Sequence, residues 1–104
     1  MSEYKKYLDS FLKNLKNENF YEAHEDLEAI WFPRRFEQSD EVKLLKGLIN
    51  ASVSFELRKK GKIEQAKKVW QTYLKYKELI NSINSPNQEI YHLIIQEIQS
   101  IREA

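Results

Sequence analysis

Cysteine is absent from this 104-residue chain, which excludes disulfides, thiolate zinc sites and cysteine nucleophiles. A cytoplasmic location is the expectation that follows. Glycine and proline are scarce, two of each, so few tight turns are available and long helices are favoured over a many-turned β sandwich. No apolar run approaches the ~20 residues of a membrane span. The start, Met1-Ser2-Glu3-Tyr4-Lys5-Lys6-Tyr7, has no apolar core of the signal-peptide kind. Net charge is only +1, so no global field argues for nucleic acid.

What is present is 41% hydrophobic and 32% charged residues, a balance that folds rather than stays disordered. The length suits one domain with one core, residues 1–104. Charge is unevenly spread. Glu18, Glu22, Glu25, Asp26 and Glu28 make the second segment acidic, whereas Arg58, Lys59, Lys60, Lys62, Lys67 and Lys68 make one turn basic. Two solvated surfaces explain this simply. RNA or DNA binding through Arg58–Lys68 is the weaker reading, because Ile63 is the only large apolar residue there and stacking modules need exposed aromatics among the cations.

Apolar spacing predicts an all-α bundle of about five helices. Tyr4, Tyr7, Leu8, Phe11, Leu12 and Leu15 stripe the first. Phe20, Ala23, Leu27, Ile30 and Trp31 stripe the second, which Pro33 ends. A loop is expected from Phe32 to Ser39. Ser39 or Asp40 caps a third helix that is apolar on most sides through Leu57 and therefore central. Gly61 follows Arg58-Lys59-Lys60 as a left-handed helix end. A fourth helix, from Ile63 to Ile83, turns straight back to make a central antiparallel hairpin. After Asn84-Ser85-Pro86, a fifth runs along Ile90, Tyr91, Ile94, Ile95, Ile98 and Ile101. Only the one hairpin has the look of a helical repeat.

At about 100° per residue His24 falls on the edge of the second helix's stripe, with Glu28 one turn on. Tyr21 and Glu25 continue that flank, and Glu22 and Asp26 point further into solvent. A half-buried imidazole beside a carboxylate can have its tautomer fixed, its basicity raised, or a metal shared. Glu56, inside an apolar arc of the third helix, needs a partner. Gly47, Asn50 and Ser54 form a line of small or polar residues, either a close helix crossing or a pocket wall. Arg34 and Arg35 could reach Glu28 or Glu56, or clamp an anion. The candidate pocket is therefore His24, Glu25, Glu28, Trp31, Arg34, Arg35, Asn50 and Glu56.

The run from Asn19 to Trp31, with Leu44-Leu45-Lys46-Gly47-Leu48-Ile49-Asn50 and Phe55-Glu56-Leu57-Arg58-Lys59-Lys60-Gly61 after it, resembles the small prokaryotic family known as domain of unknown function 309. The resemblance covers about residues 11–78. It rests on a Glu-Ala-His-Glu motif leading to a tryptophan, a leucine-rich helix and a basic, glycine-terminated hairpin. It implies a small all-helical fold and gives Glu22, His24, Glu25, Glu28 and Trp31 as the motif positions. Similar members usually have Gly where Glu18 stands, Gln where Lys46 and Asn50 stand, and His where Glu56 stands.

Two functional classes compete. The leading expectation is a non-enzymatic ligand- or protein-binding module with a polar His/Glu pocket and no cofactor. The alternative is a metal-assisted hydrolase in which His24 and Glu28 hold the ion and Glu25 or Glu56 is the base. His24-Glu25-x-x-Glu28 only superficially resembles the His-Glu-x-x-His zinc helix. Glu89-x-x-His92 has di-iron spacing but lacks its companions, and His92 points away from the isoleucine stripe. The aromatics Tyr4, Tyr7, Phe11, Phe20, Trp31, Phe55, Trp70 and Tyr73 read as core. Tyr76, Leu79, Tyr91 and Leu93, near stripe edges, are expected to be exposed in a monomer or buried in a homodimer.

Overall fold

Helix α1 (Glu3–Lys16) buries Leu8, Phe11 and Leu15, and α2 (Phe20–Trp31) buries Phe20, Ala23, Leu27 and Ile30, the stripes their spacing requires. These come from a computed structural model that describes residues 3–104. Pro33 falls in a 3-10 turn, Phe32–Arg34, inside the expected loop. Helix α3 (Asp40–Lys59) is capped by Ser39, whose Oγ accepts from the Val42 N–H at 3.3 Å. Its ten buried residues, Gly47, Ser52 and Ser54 among them, confirm its central place. Helix α4 (Ile63–Lys77) stops short of Ile83, because the chain tightens into a 3-10 turn, Glu78–Asn81, that turns Ile80 into the core. Helix α5 (Gln88–Glu103) completes an all-α bundle around one shared core. None of the described helices is long and apolar enough to cross a membrane.

The hairpin of α3 and α4 has a twin. Gly61 N–H donates to Arg58 O (3.0 Å) and Lys62 N–H to Leu57 O (2.9 Å), the paired bonds of a Schellman helix end. At the end of α1, Glu18 N–H donates to Leu15 O (3.0 Å) and Asn19 N–H to Asn14 O (2.8 Å). The residue after each turn has the same backbone, φ −89°, ψ 70° at Asn19 and φ −89°, ψ 69° at Lys62. The expectation of a single repeat-like hairpin is thus corrected to two, α1–α2 and α3–α4. It failed because the first turn carries no glycine.

Both turns need a left-handed residue, and it is Gly61 at φ 78° in one and Glu18 at φ 59° in the other. An L side chain there costs roughly 1 kcal/mol that glycine escapes. Glu18→Gly is therefore expected to raise stability by about 0.5–1 kcal/mol in urea unfolding, and Glu18→Ala to leave it nearly unchanged.

Helices α3 and α4 cross closely at Gly47, where a Cβ would lie 2.9 Å from Tyr76 Cβ. Nearby, the buried Ser54 hydroxyl donates to Ala66 O at 2.8 Å. The line of small residues is a crossing rather than a pocket wall. Phe20, Phe55, Trp70 and Tyr73 form a chain of tilted rings, 4.7–5.6 Å between centroids, that joins α2, α3 and α4. Arg102 of α5 lays its guanidinium 4.6 Å from the Trp70 ring centroid.

Two polar expectations are also corrected. Asp26 does not face open solvent: its Oδ2 accepts from Ser10 Oγ and Asn14 Nδ2, both at 2.8 Å, and ties α2 to α1. Tyr91 is fully buried rather than at an edge; Leu93 is 46% exposed, and Tyr76 and Leu79 are half-buried. The Tyr91 hydroxyl donates to Glu41 Oε2 at 2.6 Å and lies 2.9 Å from the Tyr4 hydroxyl. Ser85 Oγ donates to the same carboxylate oxygen at 3.0 Å. One partly buried carboxylate thereby gathers α1, α3, α5 and the segment before α5.

Candidate functional site

The motif on α2 places His24 where the buried stripe meets solvent, and its Nε2 lies 3.1 Å from Glu28 Oε1, one turn on. That contact makes Nε2 the donor to the carboxylate. Nδ1 is buried and has no hydrogen-bond partner among the described residues. Tyr21 stands edge-on to the imidazole, ring centroids 6.0 Å apart. Its phenol is pushed above its ordinary pKa first by the Glu25 carboxylate. Glu56 is engaged by Lys60 of its own helix at 3.2 Å. Glu56 and Lys60 line a surface groove of about 440 Å³ with Phe20, Tyr21 and Glu22, where the first turn of α2 meets the last turns of α3. That groove lies at the motif's start, one turn before His24.

The remaining predicted residues go elsewhere. Asn50 folds back on its helix, its Nδ2 donating to Lys46 O at 2.8 Å. Arg34 forks onto Glu37 (3.1–3.2 Å) and reaches the Tyr4 hydroxyl at 3.3 Å, and Glu37 holds its guanidinium still more firmly protonated. Trp31 packs partly against the core. Arg35 donates to Phe32 O at 2.6 Å, with its guanidinium carbon 3.6 Å from the Phe32 ring centroid and 4.5 Å from that of Phe36. The eight residues thus divide into an α2 flank, an α3 pair and a loop.

Among the described residues no three His, Asp or Glu side chains converge into a set that could hold a metal ion. His24 and Glu28 supply two donors already facing each other, which favours an imidazole–carboxylate pair. Because Glu28 is half-exposed, the pair is worth only a few tenths of a kcal/mol. Glu28→Gln is expected to change unfolding stability by less than about 0.5 kcal/mol, and thermal unfolding of the two proteins checks this.

Sequence reading missed two groups. The Tyr4, Glu41, Ser85 and Tyr91 cluster is brought together only by the tertiary fold, across separations of 37 to 87 residues. The other is the aromatic content of the connection from α2 to α3. Phe32 is 56% and Phe36 80% exposed, and both sandwich Arg35. The sequence signal was available in Trp31-Phe32-Pro33-Arg34-Arg35-Phe36, where aromatics flank two cations.

A central helix bearing Gly47, a hairpin turning at Gly61 and the α2 motif occur here in one fold, and the family model described as domain of unknown function (DUF309) matches residues 8–69. The chain belongs to this family. The match covers most of α1, all of α2 and α3 and the first half of α4, close to the 11–78 expected. For this DUF309 domain, no curated protein and no solved structure gave a match. The family carries no assigned activity, so function has to be argued from the surface itself.

Proposed function

We propose that this DUF309 domain is a protein-binding module that docks its partner on the knuckle formed by Phe32, Arg35 and Phe36. One observation carries the reading: two phenylalanines, one of them 80% exposed, hold an arginine between their faces on the loop joining α2 to α3. Leaving that much aromatic surface in water is unfavourable, at roughly 25 cal/mol per Å². Phenylalanine and arginine are also among the residues enriched in interface cores, and arginine among those that dominate binding energy. The packing of Arg35 on Phe32 fixes the cation before a partner arrives and lowers the ordering cost. The complementary surface is an apolar patch carrying a carboxylate.

Site-specific photo-crosslinking in cells tests this. A benzophenone at position 36 is expected to yield one dominant protein adduct, and the same group at the exposed Lys68 on α4 none. Equal labelling from both positions, or none from position 36, contradicts the reading. A homodimer is one form of it. Sedimentation equilibrium at high concentration then shows association that Phe36→Ser abolishes, whereas a monomer throughout leaves a different protein as the partner.

A further inference from the structure

At the opposite end of the bundle from the knuckle, the C-terminal turns of α1, α3 and α5 and the first residue of α2 enclose a cleft of about 420 Å³. Its floor is apolar, formed by Leu15, Phe20, Phe55 and Ile101. Phe20 and Phe55 stack there with centroids 5.3 Å apart. Lys16, Arg58 and Lys59 stand on the rim. Among the described residues the side chains of Lys16 and Arg58 make no ion pair or hydrogen bond. Lys59 makes only a 3.5 Å contact with Glu18 O and lies 5.6 Å from the Phe20 ring centroid.

We propose that this cleft binds an anionic amphiphile, a carboxylate or phosphate monoester on a medium-length apolar body. The apolar part covers Phe20 and Phe55, and the anion meets Lys16, Arg58 and Lys59. The volume lies within the range of small-molecule sites, and a few charges over an apolar floor is how such sites fix orientation. Glu18 and Glu97 also line the cleft. Neither pairs with a rim cation within 4 Å, so the cations remain available. Cations in the last turns of α1 and α3 also offset those helices' dipoles. That role alone needs no apolar floor beneath them.

The proposal is independent of the knuckle. Its test is an amide NMR titration of the folded chain with octanoate and, in parallel, octyl phosphate, octanol and acetate. Octanoate or octyl phosphate is expected to shift amides of residues 15–20, 55–59 and 97–101 saturably, and the double variant Arg58→Glu, Lys59→Glu to weaken that binding at least tenfold. Circular dichroism checks that the double variant keeps its helices. Lys16→Glu, on a different helix, gives a second reading if it does not. Octanol binding as well as octanoate removes any part for the cations and overturns the proposal. Acetate binding as well removes any part for the floor. Shifts that fail to saturate, or that cluster at residues 31–36, also overturn it.

Discussion

Raising the pH from 10 to 12 is expected to unfold this domain, and Tyr73→Phe to move the transition upward. Burial pushes the Tyr73 phenol from 10 to about 12, with the Glu78 charge adding to it, and burial pushes Tyr4 to about 12 as well. Tyr91 is raised further, by burial first and then by Tyr4 and the Glu41 carboxylate its hydroxyl already serves. For an acid raised on folding, the neutral form is the one the fold favours. The stabilisation is complete below pH 10, where unfolded tyrosines are neutral, and is lost as pH climbs through the folded values.

A phenol held about 2 above its unfolded value accounts for roughly 2.5 kcal/mol by the time it ionises. Tyr73 is almost fully buried, so its share is little screened. Tyr4 is partly exposed, and its share is smaller. Two or three such groups approach the whole stability of a domain this size. Helix content followed between pH 8 and 12.5, for the parent and Tyr73→Phe, reads the effect. Coincident curves would show that the Tyr73 ring is not held neutral by the fold.

Gly47→Val is expected to be the most damaging single change on α3. The first atom of any side chain at 47 would sit 2.9 Å from Tyr76 Cβ, the rigid root of that side chain rather than its movable end. Valine adds two methyls beyond it, so α3 and α4 must separate, and the Ser54 bond to Ala66 O shares the strain. Overpacking of this kind costs about 3 kcal/mol, offset by a few tenths from replacing glycine inside a helix. At roughly 4–8 °C per kcal/mol the melting temperature falls by about 15 °C. Gly61→Ala provides the contrast. Nothing lies within 4 Å of its Cβ position, and only φ 78° opposes the change, at about 1 kcal/mol. Equal losses at the two glycines would contradict the crossing.

The helices were legible because each carries a periodic apolar stripe, and α3's near-continuous one announced its central place. Gly61 announced its turn. The matching turn at Glu18 was silent, since the backbone there is imposed by the hydrogen bonds of the helix end on a residue that does not prefer it. His24 and Glu28 were found together because a helix fixes i and i+4 neighbours. Asn50, Glu56, Arg34 and Arg35 were not, because long polar side chains take the nearest partner, and each finds one within four residues. Angular position on a wheel says nothing of that competition. The Tyr4, Glu41 and Tyr91 cluster has no local signature, and the exposure of Phe36 depends on a loop path that periodicity does not reach.

The central claim is that binding runs through the knuckle and not through the α2 motif. The measurement that bears on it most directly is the affinity of the partner recovered from position 36, compared across the parent chain, the double variant Phe32→Ala, Phe36→Ala, and the double variant His24→Ala, Glu28→Ala. Loss of the two exposed rings is expected to weaken binding at least tenfold, about 1.4 kcal/mol or more, while loss of the imidazole and its carboxylate leaves affinity within twofold. The reverse pattern, intact binding without the rings and none without His24 and Glu28, would contradict it and return the function to the motif.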